Sequence, residues 1–426
     1  KKNKIDLIII DHHKSHEEHD DCFAFINPNS SFDNSGYGFL CSTGLTFIFI
    51  NFLQKILKSN NFLGKKSPDL NMLLDLVALA TVCDVVPLID LNRSYVLNGL
   101  KILSKRQNLG LKTLSDESQL NKKADEEDLG FFFGPRINAG GRVGKSDIGE
   151  KLLISEDESE SELLVKQLNT LNYQRKLIED KVYNEVIEKI KNNLKKNYLF
   201  AYSNSWHEGV LGIVASRIKE KFKKPVIVLT KNKNIFKGSG RSTLGIDIGM
   251  LVIKAKEKKI IINGGGHQMA AGLSLKEENL ELFEKFFDEF VNNNKKIDLT
   301  ENNLNIDEVL TLKSINDDLI DTIDKIGPFG IGNPKPKFLF RNLKIIKPIL
   351  VGDTKKHLSF YVSDKTSKSL KAVFFNASDN ELGKKILSNY KKNLFSLVGV
   401  VKKSFWKNRD YFEIIIEDGV LEKVII

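Results

Sequence analysis

The first part of the chain alternates a short apolar run with longer apolar or amphipathic segments. The pattern predicts a strand at Ile5–Ile10 and helices at Thr43–Leu57, Asn71–Thr81 and Asn92–Leu103. Strands that alternate with helices form parallel sheets whose faces the helices cover. We therefore expect an α/β domain over residues 1–150.

A long segment without glycine or proline follows, from about Glu158 to Lys195. Its apolar residues recur at steps of three and four, at Leu164, Leu168, Leu171, Ile178, Val182, Val186, Ile190 and Leu194. This spacing is typical of an amphipathic helix. At ~1.5 Å per residue the helix would be on the order of 55 Å long, so we interpret residues 151–197 as a helix that connects two lobes.

Two further patterns lie beyond this helix. Strands at Leu199–Tyr202 and Val226–Leu229 flank a helix at Val210–Phe222, which predicts a second α/β domain over residues 198–295. Residues 300–426 instead carry short alternating runs without long helices between them. That arrangement favours a small β-barrel.

The composition narrows the class of protein. The chain has 426 residues, 41% of them hydrophobic, and a net charge of +10, which favours an acidic partner such as nucleic acid. No apolar run approaches the ~20 residues of a membrane-spanning helix, and no signal-peptide pattern opens the chain. Cys22, Cys41 and Cys83 are odd in number and lack C-x-x-C spacing. They indicate a reducing cytoplasm rather than disulfides or a structural zinc site.

Three metal-capable side chains, Asp11, His12 and His13, follow the first predicted strand directly. Strand ends in open α/β sheets are where ligands collect, although polar residues that simply meet solvent are the alternative. Asp84 ends a nearly uncharged segment, where a carboxylate costs free energy unless it is paired or bound to a cation. Carboxylate and imidazole without thiolate suit Mn²⁺ or Mg²⁺. Two such ions ~3.5–4 Å apart can activate water and stabilise the leaving oxygen in phosphodiester cleavage.

A polar stretch at Ser115–Asp128, which we expect to be a loop, leads into a glycine-rich segment that carries Arg136, Asn138 and Arg142. Arginine forks bind phosphate, bidentately where the geometry allows. The alternative is a glycine-rich loop that only turns the chain.

A second glycine-rich segment carries Ser239, Arg241 and Ser242. We expect Gly238 and Gly240 to allow close backbone approach, and a hydroxyl beside a guanidinium suits a terminal phosphate.

The third glycine-rich segment ends in Gly265, Gly266 and His267. Glycines permit backbone N–H groups to face an anion in a nest. The alternative for His267 is an ordinary structural histidine. We favour contact with substrate over metal ligation.

In the predicted barrel, Lys402, Lys403, Trp406 and Arg409 interleave basic and aromatic side chains. This mixture matches single-strand binding, in which bases stack on rings and cations follow the backbone. A β-hairpin with core aromatics and solvated charges is the alternative.

With these motifs the chain resembles the DHH phosphoesterase superfamily and, within it, the RecJ family of single-strand-specific exonucleases. The matching segments, in chain order, are Asp11–His13, Asn27–Asn29, Leu40–Gly44, Ala80–Leu88, Gly134–Arg142, Trp206–Ile213, Lys237–Ser242 and Gly265–His267. The first and last are common to the superfamily, whereas Trp206–His207 and Gly238–Ser242 point to RecJ.

The resemblance implies 5′→3′ hydrolysis of single-stranded DNA to mononucleotides in repair and recombination. It implies a two-ion Mn²⁺ or Mg²⁺ site to which Asp11, His12, His13 and Asp84 contribute. Residues 1–150 would be the DHH domain, 198–295 a substrate-binding DHHA1 domain and 300–426 an OB fold that binds nucleic acid. Single-stranded DNA is the expected partner, with a single-strand-binding protein and a helicase as protein partners. We expect a monomer without membrane association.

One departure concerns the amino end. The family has metal-binding aspartates upstream of the Asp11–His13 triplet, and here the chain starts with Lys1 directly before the first strand. We therefore expect the natural amino terminus to lie further upstream. On this view the metal site is only partly encoded here, and the chain binds metal weakly or is inactive.

Two other functions stay open. The first is a DHH-type phosphodiesterase or phosphatase for short oligonucleotides or dinucleotides, which would give the barrel no obvious task. The second is a non-catalytic single-strand-binding scaffold on a degenerate DHH core. Retention of Asp11, His12, His13 and Asp84 argues against the scaffold.

Overall fold

The computed structural model describes residues 5–14, 22–63, 67–120, 122–294, 303–352, 355–366, 368–406 and 409–422, with residues 379, 405, 406 and 409 described by their backbone alone. The chain divides into two units. The first consists of Lys1–Val86 and Asp90–Asn302, and the second of Pro87–Ile89 and Asn303–Ile426.

The first unit opens with a parallel pair of strands, β1 (Ile8–Ile10) and β2 (Ala24–Ile26). The helices that follow are α1 (Ser42–Ser59), α2 (Leu74–Cys83), α3 (Asp90–Leu103) and α4 (Leu109–Glu117). A parallel pair of strands followed by helices confirms the α/β prediction for this part of the chain.

The segment predicted as a loop at Ser115–Asp128 is partly helical, so that prediction was wrong at both ends. Helix α4 continues to Glu117. Helix α5 (Glu126–Asp128) begins with a reciprocal cap, in which Asp125 and Asp128 each accept a backbone hydrogen bond from the other. Such a capping box starts a helix even in a very polar segment.

The glycine-rich segment after it is helical as well, and not the turn-forming loop offered as an alternative. A π-helical turn at Leu129–Phe133 runs into α6 (Gly134–Ile137) and α7 (Ala139–Val143). A Cβ on Gly134 would lie 2.4 Å from the Cys83 sulfur. Glycine is needed here for close packing rather than for turning.

Helix α8 (Asp147–Ile154) precedes α9 (Glu158–Ile190), which has 33 residues and confirms the predicted long helix. Asp157 caps α9 by accepting a hydrogen bond from the Glu160 N–H. Its buried apolar positions are Leu164, Val165, Leu168, Val182, Val186 and Ile190. The helix contacts α4, α7 and α8. It also contacts helix α10 (Leu211–Phe222) and strand β3 (Leu199–Ser203) of the next domain.

The second α/β domain has a five-stranded sheet in the order β3-β4-β5-β7-β6. Its strands are β3 (Leu199–Ser203), β4 (Val226–Asn232), β5 (Ile235–Arg241), β6 (Asn263–His267) and β7 (Ala270–Lys276). Its helices are α10 (Leu211–Phe222), α11 (Ile248–Glu257) and α12 (Leu280–Asn294). Strands β3 and β4 are parallel, and the other pairs are antiparallel.

The second unit is a closed barrel, as predicted. Its elements are β8 (Glu308–Val309), α13 (Asp317–Ile326), β9 (Phe338–Val351), β10 (His357–Ser363), β11 (Ser369–Phe374), α14 (Glu381–Asn389), β12 (Phe395–Trp406) and β13 (Arg409–Leu421). Because β9 pairs with both β10 and β12, the strands β9-β10-β11-β13-β12 close on themselves. Alternate residues such as Leu358, Phe360 and Val362 point into the core.

Two features bear on environment. Within the part of the chain that the structure describes, no helix is both long and apolar enough to cross a membrane. The three cysteines are not joined in disulfides, and Cys41 is buried.

Candidate metal and nucleic-acid site

The four side chains expected to hold metal lie together. His12 Nε2 lies 2.7 Å from Asp84 Oδ2, and His13 Nδ1 lies 2.7 Å from Asp11 Oδ1. One ligand atom from each of Asp11, His12 and His13 lies within 4.8 Å of the others. The expected return of Asp84 to the Asp11–His13 triplet is found, whereas the role of these residues as metal ligands stays a prediction.

The triplet and Asp84 meet because a strand and a helix end at the same place. The Asp11 N–H donates to the Ile26 carbonyl at 3.0 Å and so extends the β1–β2 pairing by one step. Asp84 is the C-cap of α2. The next residue, Val85, has a φ of 58°, a left-handed conformation that is strained for a β-branched residue. Strain of this kind, ~1–3 kcal/mol, concentrates at functional sites.

Two asparagines hold the backbone of the triplet. Asn29 Nδ2 donates to the His12 carbonyl at 2.8 Å, and Asn27 Nδ2 donates to the His13 carbonyl at 2.7 Å. In the sequence, Asn27–Asn29 was only one of the segments that resemble the family, and no role was expected for it. The sequence feature that could have indicated this role is a pair of asparagines on either side of a proline, directly after a short apolar run.

The donor set fits a hard divalent cation. Burial raises the pKa of Asp11, but hydrogen bonds from the His13 ring and from the N–H groups of His12 and His13 outweigh it, so the pKa lies below its usual value. Cation binding requires an ionised carboxylate and neutral imidazoles. Oxygen and nitrogen donors without thiolate suit Mn²⁺ or Mg²⁺.

His267, at the end of β6, faces this cluster from the second α/β domain. Burial lowers the pKa of His267, and the nearby charges of Lys14 and of the two triplet histidines lower it further. The Asp84 carboxylate acts in the opposite direction. A neutral imidazole close to the cluster is consistent with the expected substrate contact, which stays a prediction.

The expected anion nest at Gly265 and Gly266 is not formed. Both residues lie in an antiparallel strand, with Gly265 opposite Gly272 and Gly266 opposite Ala271. A nest needs backbone that alternates between right- and left-handed conformations, which a strand lacks. A Cβ on Gly266 would lie 2.4 Å from the Ala270 carbonyl, whereas one on Gly265 would meet no described atom within 4 Å. Gly266 is therefore required by packing, and Gly265 leaves the strand open to a ligand.

A second cluster is positively charged. Arg142 and Arg241, with Asn138 and Ser239, line an open pocket of about 660 Å³. Burial lowers the pKa of both arginines, and the charge of Arg142 lowers that of Arg241 further. Among the described residues neither guanidinium has a carboxylate partner, whereas the neighbouring Lys237 is paired with Glu208 at 3.1 Å. The Glu179 charge acts on Arg142 in the opposite direction, and Glu208, which is paired with Lys237, also lines the pocket. Two neighbouring guanidiniums without a direct carboxylate partner are suited to phosphate.

Local hydrogen bonds orient the side chains of Arg142 and Arg241. Arg241 Nε donates to Ser216 Oγ at 3.0 Å and its Nη1 to the Gly240 carbonyl at 2.8 Å. Arg142 Nη1 donates to the Gly209 carbonyl at 3.2 Å. Each guanidinium keeps further N–H groups for a ligand.

Gly238 and Gly240, which were expected to allow close backbone approach beside Arg241, pack against the core of the domain. A Cβ on Gly238 would lie 2.2 Å from Leu229 Cδ2, and one on Gly240 would lie 2.5 Å from Ile248 Cδ1. These glycines are therefore required by the packing of the protein's own core. Because Gly238 also lines the open pocket, the expected approach of a substrate backbone stays a prediction.

Arg136 and Ser242 both make local contacts, and only the prediction for Ser242 requires correction. Arg136 Nε donates to Asn169 Oδ1 at 3.1 Å, its Nη1 donates to the Phe132 carbonyl at 2.8 Å, and the guanidinium lies 4.1 Å from the centre of the Phe132 ring. Ser242 is fully buried and its hydroxyl donates to the Ile246 carbonyl at 2.7 Å. Arg136 therefore fastens the glycine-rich segment to α9, yet its half-buried guanidinium keeps further N–H groups, so its expected contact with substrate stays a prediction. Ser242 closes a turn and presents no free group to substrate.

The expected nucleic-acid residues of the barrel lie on the β12–β13 hairpin. Lys403 is 2.7 Å from Asp317 and 3.2 Å from Asp410, and these carboxylates raise its pKa. Its charge is thus already balanced. Lys402 is half-buried on β12. The side chains of Trp406 and Arg409 lie outside the described part of the chain.

A better candidate surface on the barrel was missed. Tyr361 is half-exposed on β10 and lies opposite Lys371 of β11. The Lys371 ammonium lies 5.2 Å from the centre of the Tyr411 ring on β13. The same ammonium lies 3.7 Å from Glu413 Oε2, so its charge is partly balanced. Three adjacent strands therefore present two aromatic rings beside a paired lysine, and the rings are the main feature of this surface. The signal was the alternation that buries Phe360 and Val362 and leaves Tyr361 outside.

Family models match two parts of the chain, the DHHA1 domain at residues 195–293 and the RecJ OB domain at residues 306–418. The chain is 32% identical over 427 residues to the single-stranded-DNA-specific exonuclease RecJ of Bacillus subtilis (strain 168), covering 98% of this chain and 51% of that protein. It is 33% identical over 389 residues to the protein of the same description from Haemophilus influenzae, covering 88% of this chain and 67% of that one. The chain thus spans about half to two thirds of the length of these relatives.

The fold is also shared with a solved structure, that of RecJ in complex with Mn²⁺ from Thermus thermophilus. The TM-score is 0.78, with 99% of this chain and 59% of that chain covered at 21% identity. A likeness at this identity supports the fold. The identity to the relatives, with the two family models, shows that this chain belongs to the RecJ family of single-stranded-DNA-specific exonucleases.

Proposed function

We propose that this chain carries the catalytic core of a metal-dependent exonuclease that degrades single-stranded DNA from its 5′ end to mononucleotides, in repair and recombination. The observation that carries the proposal is the 2.7 Å approach of His12 Nε2 to Asp84 Oδ2 beside Asp11 and His13. Isolated ionisable groups at the end of buried segments are unfavourable. Four of them at one point suit a cation that is used for hydrolysis.

Mn²⁺ or Mg²⁺ would be held by Asp11, His12, His13 and Asp84, as part of a two-ion site to which further residues contribute. When bound, such ions supply a Lewis acid and an activated water for phosphodiester hydrolysis. The Mn²⁺ complex of the T. thermophilus protein with the same fold supports this choice of metal.

The residues of this chain hold the strand against that site. Arg142 and Arg241, with Ser239, bind a phosphate group in their pocket. A terminal phosphate carries close to two negative charges at neutral pH, against one for an internal diester. Two facing guanidiniums therefore favour the 5′-phosphorylated end. His267, kept neutral by its surroundings, hydrogen-bonds a phosphate oxygen next to the metal cluster.

The barrel adds affinity for the single strand through Tyr361, Lys371 and Tyr411, because bases stack on aromatic rings whatever their sequence. A binding surface for a longer strand favours exonuclease action over cleavage of dinucleotides. A single-strand-binding protein and a helicase as partners, a monomeric state and a cytoplasmic location belong to the same proposal.

The test compares long single strands labelled at the 3′ or the 5′ end, the same sequence as duplex, and a dinucleotide, each with Mn²⁺ and with EDTA. We expect progressive shortening of the 3′-labelled strand, immediate release of label from the 5′-labelled strand, and no reaction in EDTA. Preference for the dinucleotide would point instead to a phosphodiesterase. Single-strand binding without hydrolysis in Mn²⁺, measured on the full-length protein, would point to a scaffold.

A further inference from the structure

We propose that Ser42 is a positioning residue of the metal site. Its hydroxyl fixes the rotation and the tautomer of the His12 ring so that Nε2 faces Asp84 and the cation proposed there. The inference deepens the proposed function, because it rests on His12 being a metal ligand.

Each of the two nitrogens of the His12 ring has a hydrogen-bonding partner. Ser42 Oγ lies 2.7 Å from His12 Nδ1, and Asp84 Oδ2 lies 2.7 Å from His12 Nε2. The His12 side chain is only 19% exposed. Rotation of the ring by half a turn would break both contacts at once, so the imidazole has one favourable orientation.

A hydroxyl is suited to this position because it both donates and accepts hydrogen bonds. With Nε2–H donated to the Asp84 carboxylate, Nδ1 is unprotonated and accepts from the Ser42 O–H. With the Nε2 lone pair given to a cation, the proton resides on Nδ1 and is donated to Ser42 Oγ. One side chain thus serves both forms, whereas a carboxylate in its place would serve only the second.

Ser42 is itself held by the helix whose end carries Asp84. It is the first residue of α1, and its preceding neighbour Cys41 is buried with its sulfur 3.7 Å from Thr81 Oγ1 on α2. The N-cap of α1 is Cys41, which makes no side-chain cap, and the Ser42 hydroxyl lies against the His12 ring instead. Partners that orient a metal-binding histidine in this way typically change metal affinity by ~10–100-fold when they are removed.

The experiment measures Mn²⁺ affinity by electron paramagnetic resonance of the free ion, for the wild type, Ser42→Ala and Ser42→Thr. We expect ~10–100-fold weaker binding in Ser42→Ala and recovery in Ser42→Thr, which restores the hydroxyl. Thr46→Ala is the matched control. Its hydroxyl lies one turn later on α1, donates to the Ser42 carbonyl at 2.8 Å and is exposed, so its loss should leave the affinity unchanged.

A second readout uses the metal-free protein. Nitrogen-15 NMR of the imidazoles should show His12 as the Nε2–H tautomer in the wild type and in Ser42→Thr, and as a mixture in Ser42→Ala. Should Ser42→Ala unfold, Ser42→Cys replaces it, since a thiol keeps the shape but is a weak hydrogen-bonding group.

The outcomes separate the two proposals. Absence of Mn²⁺ binding in the full-length wild-type protein would overturn the proposed function, while the tautomer comparison would still decide the role of Ser42. Wild-type Mn²⁺ affinity together with an unchanged His12 tautomer in Ser42→Ala would overturn the positioning role.

Discussion

Glu179 on α9 and Arg217 on α10 are joined by a hydrogen-bonded ion pair, in which Arg217 Nη1 donates to Glu179 Oε1 at 2.8 Å. The other oxygen of the same carboxylate accepts from Arg175 Nη1 at 2.7 Å. Arg175 and Glu179 are both buried. A single carboxylate therefore ties the connecting helix to the domain that carries the arginine pocket.

Glu179→Ala should destabilise the protein by about 3–5 kcal/mol, because it leaves the buried Arg175 without its partner. The free energy of unfolding is measured by urea titration, followed by the fluorescence of the buried Trp206. Asp180→Ala is the control. Its exposed carboxylate also pairs with Arg217, at 2.8 Å, and exposed pairs contribute at most about 1 kcal/mol. Equal losses in the free energy of unfolding for the two variants would show that the buried Glu179 carboxylate contributes no more than an exposed one.

Asp84→Asn should lower Mn²⁺ affinity by at least ~10–100-fold, the range observed for changes to residues that only support a ligand, and should abolish strand hydrolysis. The amide keeps the size of the side chain but loses the charge that a cation requires. Calorimetric titration with Mn²⁺ and the strand-shortening assay measure the two effects. Asp116→Asn, which removes an exposed carboxylate paired with Arg106, should behave as the wild type. Normal hydrolysis in Asp84→Asn would contradict the metal site.

Arg241→Ala should remove the preference for a 5′-phosphorylated strand over the same strand with a 5′-hydroxyl. The slope of log affinity against log salt should fall by about 1, as expected for one lost phosphate contact. Fluorescence anisotropy at several salt concentrations measures both. Arg106→Ala is the control, since Arg106 is exposed and already paired. An equal loss of affinity for the two strands would place the terminal phosphate elsewhere.

Asp75→Asn should stabilise the protein increasingly as the pH rises. Asp75 is 3% exposed, and burial raises the pKa of its carboxyl above the usual 3.8. The unfolded state has the usual pKa and the folded state the higher one. Between these two pKa values the folded state binds more protons than the unfolded state, so the free energy of unfolding falls as the pH increases. Asparagine cannot ionise, yet it can still accept the Leu76 N–H bond that Asp75 accepts at 2.7 Å.

Calorimetric melting temperatures of the wild type and Asp75→Asn are compared from about pH 4 upward. The advantage of the variant should grow through this window and then level off above the folded-state pKa. An advantage that stays constant with pH would show that ionisation of Asp75 carries no penalty.

Tyr361→Ala should weaken binding of a long single strand by about 1–3 kcal/mol, the contribution of one stacked base. Hydrolysis of a short oligonucleotide should change little, because the metal cluster is untouched. Phe375→Ala removes another exposed aromatic ring, one that packs against His357, and serves as the control. If both variants bind equally well, the barrel uses a different face.

Much of the fold followed from the sequence, because local periodicity decides which face of an element is buried. The steps of three and four in Glu158–Ile190 are enough to define α9, and the alternation around Phe360 is enough to define a barrel strand. The glycine-rich segments were harder. Gly134–Ile137 is helical and Gly265–His267 is a strand, since packing against neighbours rather than turning is what requires glycine there.

The sequence by itself determined the chemistry of the side chains: which carboxylates and imidazoles were available for a cation, and which arginines for phosphate. Only the tertiary structure decided which of them work together. It placed Asp84 and Ser42 on opposite sides of the His12 ring and brought Arg142 near Arg241, while it committed Arg136 to α9. Residues far apart along the chain meet only when whole helices and strands pack, and no local pattern of a sequence encodes that meeting point.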